Sequence, residues 1–203
     1  MKGRKVTFGF SRQEVKELLI AAVVLGFIVG YPFPGADGLM GVVIETFYLT
    51  LIVGIAFIAH EVFHKLVAQS HGLWSEFRMW KEGLGLSLLA KVIFGTTLIV
   101  PGAAYYSPYF QDIWGRVYRI GEASEGRISA AGPLANIVLA VLIHLFSSSL
   151  GPLAEPAIFI NLMLALFNLI PFPPLDGYKI MRWNFWIWVG MVASAWILFQ
   201  NLL

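Results

Sequence analysis

Apolar residues along this chain fall into long runs separated by short polar or basic segments. With its flanking residues, each run approaches the ~20 residues that an α-helix needs to cross the hydrocarbon core of a bilayer. The runs cover residues 17–31, 39–68, 128–150, 157–170 and 183–203. The pattern predicts an all-α integral membrane protein, a polytopic helical bundle with about five to six spans.

Composition supports a membrane protein, since 58% of the residues are hydrophobic and only 13% are charged. Soluble domains carry about twice that charged fraction. The length of 203 residues suits one domain. We predict a single membrane-embedded domain over 1–203, with an extra N-terminal span at 17–31, a core at about 39–182 and a C-terminal span at 183–203. A net charge of +2 gives no reason to expect nucleic acid as a partner.

The basic residues predict the orientation in the membrane. Residues 1–16 hold the densest basic cluster, and Ser11 to Glu14 form a capping box that starts a helix. A basic start before a short apolar run also fits a signal peptide. However, no small-x-small cleavage pattern follows, and 32–38 resembles a tight turn into another span. We therefore expect an uncleaved helix in the cell membrane, with the N-terminus on the cytoplasmic side.

The sequence leaves open whether residues 84–104 cross the membrane. The run is long enough to cross the membrane, but Lys91 lies in its middle and Pro101-Gly102 breaks its end.

Residues 101–110 could form an extended edge that pairs with a substrate strand. An interfacial aromatic turn is the competing interpretation, because tyrosines are common at membrane interfaces.

The second run contains an H-E-x-x-H pattern at His60, Glu61 and His64. Residues four apart share one helix face, so both imidazoles can reach one metal ion, while Glu61 can take a proton from metal-bound water. The competing interpretation is two histidines satisfied by polar neighbours in a core. Ionisable groups inside membrane helices are costly, which favours a functional site. The chain has no cysteine, so only His, Asp and Glu remain as metal ligands.

A catalytic zinc normally has three protein ligands, and Asp176 is the best third candidate. Prolines at 171, 173 and 174 prevent the preceding helix from continuing, and Gly177 permits a turn that aims the carboxylate into the bundle. Alternatively, Asp176 only caps the helix that follows.

Three motifs now occur in order, each in its own span, at 60–64 (H-E-x-x-H), 132–136 (G-P-x-x-N) and 168–177 (N-x-x-P-x-x-x-L-D-G). Together they resemble the site-2 protease family of intramembrane zinc metalloproteases. The resemblance implies one Zn²⁺ held by His60, His64 and Asp176, with Glu61 as the general base. It also implies transmembrane protein substrates and a role in regulated intramembrane proteolysis. In one departure, Phe63 stands where the family often has a small residue.

A shared metal would also constrain the topology. His60 is expected in the inner half of the membrane, so Asp176 must lie there too and the site faces the cytoplasmic side. Residues 84–104 then make zero or two crossings, and we predict a short re-entrant or interfacial segment around 84–110.

Asn136 is a candidate for binding the unwound substrate backbone or the developing oxyanion. A helix–helix hydrogen bond is the alternative for this side chain. For the whole chain we predict an intramembrane zinc endopeptidase. The alternative is a non-proteolytic metal-binding membrane protein, either a transporter or an inactive relative that holds client proteins.

Overall fold

The structure is a computed structural model that describes residues 9–30, 38–95, 102–106, 109–111 and 117–203. The basic residues of 1–8, the turn at 32–37 and Pro101 lie outside the described residues. The elements, in chain order, are α1 Arg12–Gly30, α2 Gly38–Ser70, β1 Ser75–Met79, α3 Lys81–Phe94, β2 Gly102–Tyr106, β3 Tyr109–Gln111, β4 Val117–Arg119, α4 Glu122–Leu145, α5 Ser147–Leu150, a 3-10 turn Gly151–Leu153, α6 Ala154–Asn168, α7 Asp176–Trp183 and α8 Phe185–Leu202.

Within these described ranges, four segments are long and apolar enough to cross a membrane. They are α2, α4, the continuous stretch from α5 to α6, and α8. The 19-residue α1 is apolar only after its charged first turns, and counting it gives five spans. The helical membrane class is therefore confirmed, at the lower end of the predicted number. Large apolar side chains such as Trp186 and Trp196 face outward, as expected for a surface in contact with lipid.

The segment after α2 does not cross the membrane in a single pass. Helix α3 has 14 residues, about 21 Å, which is too short for a ~30 Å hydrocarbon core. Strand β1, before α3, pairs antiparallel with β2, after it, so the intervening chain begins and ends at the same place. This agrees with the predicted re-entrant or interfacial segment. The strand pairs β1–β2 and β3–β4 add two small sheets to the helical bundle.

Helix α1 is tied to both α2 and β1 through its first turns. The predicted capping box is confirmed, because the Glu14 backbone N–H donates to Ser11 Oγ at 3.1 Å and the Ser11 N–H donates to a Glu14 carboxylate oxygen at 3.3 Å. The Glu14 carboxylate, which is fully buried, also accepts from the Phe77 backbone N–H at 2.9 Å and forms an ion pair with Lys65 of α2. Glu17 accepts from the Met79 N–H at 3.0 Å. Two α1 carboxylates thus close the outer edge of β1.

Helix α4 lies at the centre of the bundle and packs against α2, α6 and α7. Its close packing depends on glycine at two positions. A Cβ at Gly126 would lie 2.3 Å from Trp183 of α7, and one at Gly132 would lie 2.4 Å from His64 of α2. Pro133 follows directly inside the same helix. Because proline has no N–H, the carbonyl four residues earlier loses its usual helical donor. Gly132 marks the contact between α4 and α2.

Candidate metal centre

Helix α2 presents His60 and His64 on the face that contacts α4. Both residues are buried, at 3% and 7% exposure, and their rings meet edge to face with centroids 4.6 Å apart. Their Nε2 atoms lie 3.0 Å from each other. The i, i+4 spacing of the sequence therefore brings two ring nitrogens to one point, as the helical period requires.

Asp176 reaches the same point from the turn between α6 and α7. Its Oδ2 atom lies 3.1 Å from His64 Nε2 and 3.3 Å from His60 Nε2. Gly177 makes this approach possible, since a Cβ there would lie 2.1 Å from the Leu169 carbonyl oxygen at the end of α6. The N-cap residue of α7 is Leu175, which makes no side-chain cap. Asp176 thus directs its carboxylate to the histidines, and the capping alternative does not describe its contacts.

The Nδ1 atom of each histidine ring, which does not face the other ligand atoms, lies against a hydrogen-bond acceptor. His64 Nδ1 lies 2.7 Å from the Ile128 backbone carbonyl oxygen, and His60 Nδ1 lies 2.7 Å from Asn136 Oδ1. If each Nδ1 donates its hydrogen, both Nε2 atoms of the neutral rings carry lone pairs. Two lone pairs and a carboxylate oxygen then converge with no hydrogen between them, which is an arrangement that a cation satisfies.

The spacing of the three atoms fits zinc. Zinc bonds to nitrogen and oxygen are about 2.0–2.2 Å, so tetrahedral ligand atoms stand roughly 3.3–3.5 Å apart. The observed separations of 3.0, 3.1 and 3.3 Å are close to that value. In the parts of the chain that the structure describes, these three residues form the one cluster of His, Asp or Glu suited to a metal.

Glu61 lies next to His60 on α2 and is 7% exposed.

Phe63, the position at which the chain departs from the family pattern, does not crowd the candidate metal ligands. Phe63 is 46% exposed and points away from the buried face that carries the histidines. The bulky side chain therefore does not fill the space beside the candidate metal ligands.

Asn136 contacts Nδ1 of His60, whereas Nε2 of the same ring faces His64 and Asp176. It is fully buried, its Oδ1 contacts His60 Nδ1, and its Nδ2 donates to the Ala56 carbonyl oxygen at 3.0 Å and to Asn161 Oδ1 at 2.9 Å. Both amide hydrogens are engaged, so this geometry leaves no donor for an oxyanion. Asn136 is instead placed to hold the ring of His60.

Three other polar residues lie away from the three ligand atoms. Asn168 ends α6 and donates to the Leu164 carbonyl oxygen at 2.9 Å. His71 Nδ1 contacts the Val67 carbonyl oxygen at 2.9 Å just beyond α2. His144 is exposed in the last turn of α4.

Sequence reasoning missed two residues that shape the site. Gly132 was noted only as part of a motif, but a Cβ there would lie 2.4 Å from His64 Nε2 and 2.6 Å from His60 Nε2. Asn161 was not singled out, although it is a buried amide in an otherwise apolar run and contacts Asn136. That isolated polar residue in a membrane helix was the available signal.

Comparison with known proteins gives several curated relatives. The chain is 39% identical to "Putative zinc metalloprotease MJ0611" of Methanocaldococcus jannaschii, over 95% of this chain and 97% of the relative. It is 34% identical to "Putative zinc metalloprotease YwhC" of Bacillus subtilis, over 66% of this chain and 68% of the relative. It is 30% identical to "Putative zinc metalloprotease Rip3" of Mycobacterium tuberculosis, over 64% of this chain and 28% of the relative. No protein-family model and no solved structure matches the chain.

Proposed function

Because the chain belongs to the site-2 protease-like family of zinc metalloproteases, we propose that it is an intramembrane endopeptidase that uses one zinc ion. The convergence of His60, His64 and Asp176 within a membrane-type bundle carries the proposal. Three protein ligands are the number that a catalytic zinc uses, because the fourth position is left for water or substrate.

Zinc, when bound there, supplies a Lewis acid that polarises the scissile carbonyl and makes water a nucleophile at neutral pH. Glu61 accepts the proton of the attacking water at its carboxylate and passes it to the leaving amide nitrogen. His60, His64 and Asp176 fix the position of the reaction relative to Glu61. His60, Glu61 and His64 are buried and Asp176 is partly buried, which limits the access of bulk water and strengthens the electrostatic interactions.

The substrate class follows from the surroundings of the site. A peptide bond in a transmembrane helix is protected, since its carbonyl accepts an i→i−4 hydrogen bond. The substrate must therefore unwind near the site, and an unwound strand needs partners for its backbone groups inside the membrane. Strand β2 can offer such partners, because β1 occupies one of its edges and no other described strand pairs with the opposite edge. Single-span membrane proteins are the proposed substrates, cleaved in the manner of regulated intramembrane proteolysis.

The proposed location is the cell membrane, with several spans and with the N-terminus and the metal site toward the cytoplasm. The basic N-terminal cluster supports this orientation under the positive-inside rule. His60 and Asp176 meet at one depth, which supports the return of residues 84–110 to the side from which they start.

A Glu61→Gln variant tests the function. The purified protein is reconstituted in liposomes with single-span reporter proteins that carry helix-breaking residues, and both zinc content and cleavage are measured. We expect Glu61→Gln to retain zinc and lose cleavage by a factor of at least about 10², as for the loss of a general base. Glu155→Gln, which neutralises an exposed carboxylate at the start of α6, is the matched control.

The alternative function gives a different result in the same assay. A transporter or client-holding protein needs the metal ligands but no base beside them. Zinc-loaded wild type that leaves every reporter intact would favour this alternative. Equal cleavage by wild type and Glu61→Gln would remove Glu61 from the mechanism.

A further inference from the structure

The amide of Asn136 can stand in only one orientation. Its Nδ2 atom lies 3.0 Å from the Ala56 backbone carbonyl oxygen, which can only accept a hydrogen bond. The nitrogen must therefore face Ala56, and the oxygen must face His60 Nδ1 at 2.7 Å. An oxygen in that position requires Nδ1 of a neutral ring to carry the hydrogen. His60 Nε2 is then left with its lone pair toward His64 and Asp176.

Asn161 imposes the same orientation from α6. Its Nδ2 donates to the Ala157 carbonyl oxygen at 2.9 Å, so its Oδ1 is the atom that accepts from Asn136 Nδ2 at 2.9 Å. Asn136 is fully buried and Asn161 is 3% exposed, which shields these hydrogen bonds from competing water. The hydrogen bonds run from α6 through α4 to α2 and end on the ring of His60.

We infer that Asn136 is a positioning residue that sets the tautomer and ring orientation of His60, and that Asn161 holds Asn136 in the required orientation. The inference rests on the proposed zinc site. Partners of this kind, behind a metal-binding histidine, typically change metal affinity by about 10–100-fold when they are removed. A simple interhelical hydrogen bond would stabilise the bundle and leave zinc affinity unchanged.

Zinc affinity and histidine tautomers separate the two roles. Zinc affinity is measured by competition with a chelator on purified full-length protein in detergent. The tautomer of His60 is read by ¹⁵N NMR of histidine-labelled, metal-free protein. We expect Asn136→Ala to bind zinc about 10–100-fold more weakly and to populate the Nε2–H tautomer of His60. Asn136→Asp keeps an oxygen acceptor for Nδ1, so it should preserve the Nδ1–H tautomer of His60, although its second oxygen would face the acceptor oxygens of Ala56 and Asn161.

The other variants give the control and the second half of the inference. Asn161→Ala should weaken zinc binding by a smaller factor, because the Ala56 carbonyl still orients Asn136. Asn201→Ala removes an amide that only donates to the Ile197 carbonyl oxygen at 2.7 Å on α8, and it should bind zinc as the wild type does.

Zinc affinity and a His60 tautomer in Asn136→Ala that match Asn201→Ala would overturn the inference. Should Asn136→Ala fail to fold, Asn161→Ala takes its place, and wild-type zinc affinity in that variant would overturn the inference. If the wild type binds no zinc, the proposed function fails. The tautomer of His60 in the metal-free variants still tests the role of Asn136 in that case.

Discussion

A Cβ atom on Gly132 would lie 2.4 Å from Nε2 of His64, well inside van der Waals contact. The same atom would lie 2.6 Å from Nε2 of His60. The backbone of α4 therefore forms one wall of the candidate metal centre, and only glycine permits this approach. One turn to either side of Gly132, α4 also places the Ile128 carbonyl oxygen against His64 Nδ1 and the Asn136 side-chain oxygen against His60 Nδ1.

Gly132→Ala should abolish stoichiometric zinc binding, because the new methyl group occupies the space beside both ligand nitrogens. Metal content of the purified variant, measured by mass spectrometry, checks this expectation. Gly190→Ala on α8 is the control, since a Cβ there meets no atom within 4 Å. Normal zinc content in Gly132→Ala would mean that the metal does not bind between these residues.

Metal content should depend equally on ligands from the two separate segments. His60→Ala and Asp176→Ala should each lose most of the bound zinc, because two ligands do not normally hold a catalytic ion. His144→Ala, which removes an exposed imidazole from α4, should keep a full complement. Retention of zinc in Asp176→Ala would exclude the carboxylate as the third ligand.

The buried ion pair between Glu14 and Lys65 should contribute strongly to stability. Glu14→Gln leaves the Lys65 ammonium buried without its counter-ion, which typically costs about 3–5 kcal/mol. The double variant Glu14→Gln, Lys65→Met removes both charges and should recover much of that loss. SDS titration of the purified proteins measures the free energies of unfolding.

A second, exposed ion pair provides the control for this comparison. Glu122 and Arg182 join α4 to α7 at the surface, where water screens their attraction. Glu122→Gln should therefore unfold almost as the wild type does. If Glu14→Gln and Glu122→Gln unfolded alike, the buried pair would have no special importance.

Proline substitutions in β2 can distinguish its two edges. The N–H groups of Phe77 and Met79 in β1 point to α1, so these residues face β2 in non-hydrogen-bonded pairs. Ala104 lies opposite Phe77 in the register, so the Ala104 N–H points to the outer edge of β2. Ala103 lies opposite Arg78 in the neighbouring hydrogen-bonded pair, so the Ala103 N–H points to β1. Ala104→Pro should lower kcat/KM for a membrane substrate and leave zinc content unchanged.

Ala103→Pro is the matched comparison, because it removes a donor between β1 and β2 and should destabilise the sheet itself. Wild-type turnover in Ala104→Pro would show that the outer edge of β2 does not bind substrate. The interfacial-turn interpretation of this segment would then be preferred.

The absence of cysteine allows the topology to be tested with single introduced thiols. Gln111→Cys should react from the same side of the membrane as Ser70→Cys, at the end of α2, and from the side opposite to Ser149→Cys in α5. Labelling of intact cells with a membrane-impermeant maleimide measures this. Reaction of Gln111→Cys from outside would contradict the predicted return of residues 84–110.

The sequence predicted those features that depend on local periodicity. His60 and His64 are brought together by one helical turn. The prolines and glycine around Asp176 left a capping role open, and the resemblance to the site-2 protease family implied its place beside the histidines. Asn161 could not be assigned, because its role depends on contacts between three helices. Glu14 was recognised as a capping residue, but its bonds to Lys65 and Phe77 join segments that are 51 and 63 positions apart.

The attachment of α1 to β1 limits how far the N-terminal region can be shortened. A truncated protein that began at α2 would lose both glutamates, and the amides of Phe77 and Met79 would lose their acceptors. It would also leave the buried ammonium group of Lys65 without its carboxylate partner. The first helix is therefore expected to act as an integral support of the hydrolytic unit rather than as a removable anchor.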